Sequence, residues 1–271
     1  MGILYLVATP LGNLEDITLR ALRILREVSL IATEDTRTTG KLLHHYNIQC
    51  PMLSYHDFSP AKQQTRLLEA LAEGDVALVS EAGTPLLSDP GYELVRAAIE
   101  HDLTVVAIPG ASALLVALTI SGLPMNQFCF GGFMPRKSKA RHELLQQWQA
   151  QPATLVFYES PHRLVDTLKD MQTVLGGARQ IALGRELTKL YEEIWRGTIA
   201  EAMEVWANRE LRSEFTVVVA GAAPSAKWTE AQVQAALAAA MQTGLSPKMA
   251  VMQVTAQSGW PKREVYALVR E

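Results

Sequence analysis

The chain has 271 residues, 48% of them hydrophobic and 20% charged, with a formal net charge of −3 and an isoelectric point near 6.1. That composition suits a globular protein of one large or two ordinary domains and excludes a generally basic coat for nucleic acid. Cys50 and Cys129 fit neither a disulfide framework nor a zinc set, and the apolar N-terminal run is too short for a signal peptide or a membrane span, so a cytoplasmic location with no membrane association is expected.

In chain order, short apolar runs alternate with amphipathic stretches. Residues 3–8 read as a strand and 14–28 as a helix; 63–73 is helical, and 76–79 is a compact apolar strand. A helix over 91–101 and a strand over 104–108 follow, with Ser112 placed to cap the next helix. A second round opens near residue 120. It has strands at 154–158, 180–183 and 215–220, a helix started by Ser160-Pro161, and a capping box at Thr198 and Glu201. The alternation predicts an α/β protein of two lobes, residues 1–117 and 118–222. Residues 222–228 read as a linker. Beyond it a small helical appendage over 223–271 has a capping box at Thr229 and Gln232, a helix started by Ser246-Pro247, and a break at Gly259.

Ligands of open α/β sheets bind where strands end at their carboxyl side. Four such ends carry chemistry here. The first holds Pro10 and Gly12, also the makings of a plain strand-to-helix turn. The second is Thr33-Glu34-Asp35-Thr36-Arg37, where carboxylates could accept protons or merely cap a helix beside an ion pair. The third is the long loop Ser80-Glu81-Ala82-Gly83-Thr84-Pro85 through Gly91, stiffened by Pro85 and Pro90. It fits a ligand cradle or a rigid connector. The fourth, Pro109-Gly110-Ala111-Ser112-Ala113, sets a helix N-terminus beside a turn, where free N–H groups favour polar ligand atoms. No two glycines are separated by one residue, which removes the G-x-G core of dinucleotide sites. No P-loop, H-x-x-x-H, C-x-x-C or G-x-S-x-G pattern occurs.

Eight motifs stand in one order: ATPLGNLEDIT, IATEDTR, ALVSEAGTPLLSDPG, IPGASA, SGLP, GGFMPRKSKAR, LVFYESPHR and ALGRELTKLYEEI. Over roughly residues 3–221 the chain resembles the bacterial 16S rRNA (cytidine-2′-O)-ribose methyltransferase I family, a branch of the tetrapyrrole (corrin/porphyrin) methylase superfamily. The helical tail resembles that family's helix-turn-helix-like appendage. The resemblance implies a bilobal homodimer that binds S-adenosyl-L-methionine between its lobes and methylates a cytidine ribose in the decoding region of the small ribosomal subunit. By motif it places Pro10, Gly12, Ser80, Glu81, Ala82, Gly83, Thr84, Pro85, Pro109, Gly110, Ser112 and Ala113 at the cofactor. Two departures stand out: Ala111 where the family often has proline, and Ser213 where it often has glycine.

Transfer to a ribose hydroxyl needs a proton acceptor and cations for the neighbouring phosphates. Asp35 and Glu159 are the candidates to accept the proton or orient the hydroxyl, with His56 as an alternative base. Arg37 and Arg163 are candidates for phosphate contact. Arg136, Lys137, Lys139 and Arg141 put four cations in six positions, expected as a loop against the RNA backbone. The tail carries five cations against three anions. A tetrapyrrole-precursor methylase and a non-catalytic RNA-binding or ribosome-assembly module remain the alternatives at this point.

Overall fold

The computed structural model describes residues 2–56, 61–223 and 228–269. The first lobe is a five-stranded sheet of β1 (Ile3–Val7), β2 (Leu30–Thr33), β3 (Met52–Ser54), β4 (Val76–Val79) and β5 (Thr104–Ile108). Its order is β3-β2-β4-β1-β5, and every described pairing is parallel. A parallel sheet needs both faces covered. Helices α1 (Leu19–Glu27) and α2 (Thr36–His45) cover one face, where Leu25 and Leu43 meet Val7, Ile31 and Val79. Helices α3 (Ala61–Glu73) and α4 (Tyr92–Glu100) cover the other, with Leu67, Leu71 and Leu94 against Leu4, Ala32 and Leu78. The period-2 alternation along each strand thus divides its side chains between two cores.

The expected continuous helix over 14–28 is broken. Asn13 caps a single 3-10 turn at Leu14–Asp16, Ile17 is extended, and the Thr18 hydroxyl then accepts the Ala21 N–H at 3.0 Å to start α1. Two N-cap residues in six positions restart the backbone twice.

The second sheet contains β6 (Phe128–Phe133), β7 (Thr154–Glu159), β8 (Gln180–Arg185), β9 (Glu193–Thr198) and β10 (Phe215–Val219), ordered β6-β7-β10-β8-β9. Only β6 and β7 run parallel; the other pairings are antiparallel. Helix α5 (Ala113–Ile120) packs on one face, with Leu114, Ala117 and Leu118 against Val156, Ala182 and Val218. Helices α6 (Ser138–Trp148), α7 (Leu164–Leu175) and α8 (Ile199–Trp206) cover the other around Phe157, Phe215 and Trp206. The division expected at 117/118 therefore falls inside a helix that serves the second sheet. The chain crosses between lobes at residues 109–112.

Among the described residues the tail is three helices, α9 (Glu230–Gln242), α10 (Pro247–Ser258) and α11 (Lys262–Ala267), around Val233, Leu237, Val251, Val254 and Val265. Gly259, at φ 67°, ends α10 in the left-handed conformation. Most of the expected linker, residues 224–227, lies outside the described residues, as do Arg270 and Glu271.

Candidate active site

The loops after β1, β4 and β5 leave three adjacent strands side by side. Two of them are laced together by a short antiparallel bridge: Thr9 N–H donates to the Gly83 carbonyl and Gly83 N–H to the Thr9 carbonyl, both at 2.9 Å. The Thr84 hydroxyl donates to the Ala111 carbonyl at 3.0 Å and ties in the third. The Ser80 hydroxyl, buried beneath the loop, reaches the Gly83 carbonyl at 3.1 Å. The loop backbone is strained where it turns: Leu86 (φ 73°) and Ser88 (φ 70°) both hold left-handed conformations that non-glycine residues avoid.

Between this edge and the second lobe lies a cavity of about 640 Å³. The first lobe contributes Leu11, Glu34, His56 and the residues from Glu81 to Pro90, Pro85 and Leu86 excepted. The second contributes Ala113, Phe133, Tyr158, the segment around Glu186 to Lys189, and Ser213 to Thr216. Phe133 gets there through a register shift in β6 at Gly131-Gly132. There a Cβ on Gly131 would stand 2.6 Å from the Phe157 ring, and one on Gly132 3.0 Å from the Ser88 hydroxyl.

One contact holds the start of α5 on the second sheet, and another closes the seam between lobes. The Leu114 N–H at the start of α5 donates to the Tyr158 hydroxyl at 3.2 Å. Tyr158 thus takes the role expected of Ser112. Ser112 does stand at the N-cap, but its hydroxyl is buried and makes no hydrogen bond. The Lys189 stem lies over Gly12, where a Cβ would come within 2.2 Å of it.

The cavity is acidic. Five carboxylates line it (Glu34, Glu81, Asp89, Glu186 and Glu214) against one lysine, Lys189, and His56. Burial pushes Asp89 up to about 6, reinforced by Glu34, Glu214 and Glu81 and opposed by a hydrogen bond with Ser80. Burial also raises Glu214, with Lys189 opposing, and raises the Tyr158 phenol. Glu186 is held below the usual range by the Ser213 hydroxyl and by Lys189, whose ammonium is 3.3 Å away.

Of the twelve residues expected at a cofactor, Glu81, Ala82, Gly83, Thr84 and Ala113 line this cavity, and His56 lines it among the expected bases. Ser80 is buried beneath the loop, Gly12 lies against the Lys189 stem, and Gly110 packs on Ala8, where a Cβ would lie 2.8 Å from that of Ala8. Pro10, Pro85, Pro109 and Ser112 belong to the same loops without lining the cavity.

Asp35 and Glu159 are elsewhere, and each has other work. Asp35 caps α2 by accepting the Arg37 N–H at 2.8 Å and pairs with the Arg37 guanidinium at 2.8 Å. The hydrogen bond from that guanidinium, with the backbone one, lowers its carboxyl to about 2, a poor base at neutral pH. Glu159 is fully buried. Its carboxylate holds Arg163 at 2.6 Å, Thr167 at 2.5 Å and the Ser160 N–H at 2.7 Å. Arg163, expected at phosphates, donates instead to Ser160 and the Met134 carbonyl.

The basic segment is a loop only in its first half: Arg136 and Lys137 precede α6, which Ser138 starts, and Lys139 and Arg141 lie on the helix. Arg136, Lys137 and Lys139 are exposed, but Arg141 is buried. Its guanidinium binds Asp170 at 2.7 Å and the Pro135 and Arg136 carbonyls, while His142 and Ser138 take the other Asp170 oxygen. Burial raises the Asp170 carboxyl, yet these partners hold it below the usual range.

Residues 3–203 match the family described as tetrapyrrole (corrin/porphyrin) methylases. A protein named ribosomal RNA small subunit methyltransferase I from Synechocystis is 46% identical over 100% of this chain and 98% of its own length. One of the same name from Haemophilus influenzae is 45% identical over 98% of this chain and 95% of its own. The chain belongs to the ribosomal RNA small subunit methyltransferase I family. Members of that family are methyltransferases, and this chain is one on the tetrapyrrole-methylase fold. The fold is shared with the methyltransferase CobJ, at TM-score 0.62 and 20% identity over 82% of this chain and 95% of that one. It is shared too with uroporphyrin-III C-methyltransferase from Thermus thermophilus complexed with S-adenyl homocysteine, at TM-score 0.57 and 22% identity over 81% of this chain and 97% of that one.

Within this methyltransferase the acids, aromatic residues and lysine supplied by the second lobe were not anticipated. The motif containing Glu186 and Lys189 was visible, but Glu186 (φ 52°), Thr188 (φ 66°) and Ser213 (φ 64°) all adopt left-handed backbone that their residue types do not announce. Ser213, one of the two departures from the family pattern, thus stands where glycine is favoured.

Two consequences are measurable. Glu159→Ala, which removes a fully buried carboxylate and leaves the half-buried Arg163 guanidinium without its ion-pair partner, should cost about 3 kcal/mol in urea unfolding; an unchanged midpoint would remove its structural role. Asp89 has a folded-state pKa above its unfolded one, so its carboxyl favours folding at low pH, and that contribution is lost as pH rises through about 6. Asp89→Asn should therefore stabilise the protein at pH 7.5 by about 1 kcal/mol, allowing for partial exposure. The gain should vanish below about pH 4, and a pH-independent difference would contradict the assignment.

Proposed function

We propose that this protein transfers a methyl group from S-adenosyl-L-methionine to the 2′-hydroxyl of a cytidine ribose in the decoding region of 16S rRNA. The observation that carries the donor is the charge of the cavity: five carboxylates against one lysine suit a ligand bearing a cationic sulfonium and an ammonium. The buried, unpartnered Ser112 hydroxyl supports the same reading, since an orphaned polar atom at a helix start costs stability unless a ligand completes it. The site therefore fits this donor. Glu81, Ala82, Gly83, Thr84, Ser112 and Ala113 would hold it. When bound it supplies an electrophilic methyl carbon.

The chain's own contribution is placement. The laced loops fix one wall, and the aromatic side chains Phe133 and Tyr158 bound the other. A rigid cleft that orients an acceptor oxygen can remove several kcal/mol from a transfer barrier. The acceptor class is supported by the rRNA methyltransferase relatives, at 45–46% identity over essentially the whole chain, against 22% for the uroporphyrin-III C-methyltransferase that shares the fold. Arg136, Lys137 and Lys139 give the RNA backbone exposed cations at the start of α6, and Lys248, Lys262 and Arg263 give it more on the tail. Among the described residues no helix is long and apolar enough to cross a membrane. We place the protein in the bacterial cytoplasm with its ribosomal substrate. We read it as a homodimer, in which exposed apolar side chains such as Tyr92 and Ile99 on α4 could be covered.

Loss of the protein from cells should strip one ribose methyl from the decoding region of 16S rRNA, read by mass spectrometry of nuclease fragments. An unaltered methylation pattern would reject the reading, and methyl transfer to a tetrapyrrole precursor by the purified protein would replace it. Charge reversal at Lys137 and Lys139 should weaken binding to small ribosomal subunits and flatten its dependence on salt concentration. Identical salt slopes for parent and variant would remove those lysines from the interface.

A further inference from the structure

We infer that Asp89 is the proton acceptor for the ribose hydroxyl, an assignment that rests on the function proposed above. Five carboxylates line the cavity, and four are disqualified by their surroundings. Glu34 and Glu81 are exposed to solvent, Glu186 is engaged by Ser213 and Lys189, and Glu214, though raised by burial, lies within reach of the Lys189 charge that opposes the rise. Asp89 is partly buried and, among the described residues, has no ion-pair partner. The charged groups that face it are all acids: Glu34, Glu81 and Glu214, from the loops after β2 and β4 and before β10. The Tyr158 ring of β7 lines the same space and feels its charge. His56 and Lys189 complete the titratable lining.

The backbone is built to put it there. Asp89 follows Ser88, a left-handed non-glycine residue, and precedes Pro90 and Gly91, whose φ is 127°. A Cβ on Gly91 would stand 2.5 Å from Leu78 and 2.9 Å from Leu86, so this turn tolerates no side chain and leads directly into α4. Strain of this kind persists where the surroundings over-determine it, as in a site that must hold one group in one place. The Ser80 hydroxyl, just past the end of β4, lies beside the Asp89 carboxyl and favours its ionised form.

A carboxyl lifted to about 6 is ionised at neutral pH and more basic than an ordinary aspartate, which suits a general base. In the transfer the hydroxyl O–H bond breaks and its proton moves to a carboxylate oxygen of Asp89. The oxygen's electron pair forms the bond to the methyl carbon, and the carbon–sulfur pair stays with sulfur. A cation and an anion become two neutral groups, so the cleft ends with the net charge it began with. Such a step is favoured where water is scarce, because no charge is left uncompensated.

The test uses the full-length protein, small ribosomal subunits lacking the methyl group, and S-adenosylmethionine. Parent turnover at the cytidine ribose is measured first; its absence rejects the function proposed above and this assignment with it. Given turnover, Asp89→Asn should lower kcat at least 100-fold while calorimetry shows donor affinity within about fivefold of the parent. The parent's kcat should fall as pH drops through about 6, and the residual rate of Asp89→Asn should lose that acidic limb. Asp89→Glu should recover part of the rate together with the limb. A fall in donor affinity that matches the loss of kcat would make Asp89 a donor-binding group and overturn the proposal. An acidic limb that survives in Asp89→Asn would pass the role to another group, His56 foremost.

Discussion

The site depends on one set of main-chain contacts. Parallel strands leave their carboxyl ends in a row, but the loops beyond them are free to diverge. Here the reciprocal Thr9–Gly83 hydrogen bonds extend pairing past the end of the sheet, and Thr84 fastens the third loop through Ala111. Once those loops move as a unit, the strain at Leu86 and Ser88 can be borne by the first-lobe core rather than relaxed by a loop shift. The cavity wall is thereby set before any ligand arrives, which lowers the ordering cost of binding.

Charge is partitioned with similar consistency. Acids converge inside the cleft, and cations lie outside it on the start of α6 and on the tail. On the proposed function, a polynucleotide drawn to the exterior cations would meet a cleft that repels its phosphates, which favours entry of a nucleotide with its sugar leading. The same acids attract a cationic donor. One field therefore sorts two ligands of opposite charge into adjacent places. The net charge of −3, which excludes a generally basic surface, agrees with this division.

Much of the architecture was legible because local signals agreed with tertiary ones. The strands at 76–79 and 104–108, the capping boxes at Thr198 and Thr229, and the stop at Gly259 all stand where their residue types place them. The first lobe's share of the cavity was legible too, because strand ends of a parallel sheet mark it in advance. The second lobe's share was not. Its strands are mostly antiparallel, so no rule about carboxyl ends applies, and its lining follows from a register shift at Gly131-Gly132 and three left-handed non-glycine residues. Asp35, Glu159, Arg163 and Arg141, which have other partners in the structure, were ambiguous for a related reason. An Asp or Arg at a strand end has the same appearance in sequence whether it faces a cavity or a helix cap.

The reassigned charges explain why the cationic surface is as small as it is. Glu159 and Arg163 join the end of β7 to the start of α7, and the Met134 carbonyl that Arg163 also holds fixes the chain just before the basic segment. Arg141 then ties the Pro135 and Arg136 carbonyls to Asp170 of α7. Two arginines are consumed inside the lobe so that three neighbouring cations can be presented from a fixed backbone. Exposed lysines alone would lose side-chain and main-chain freedom on meeting a phosphate. With the main chain already pinned by buried ion pairs, only the side chains remain to be ordered, and a patch of three charges can act with more precision than its size suggests.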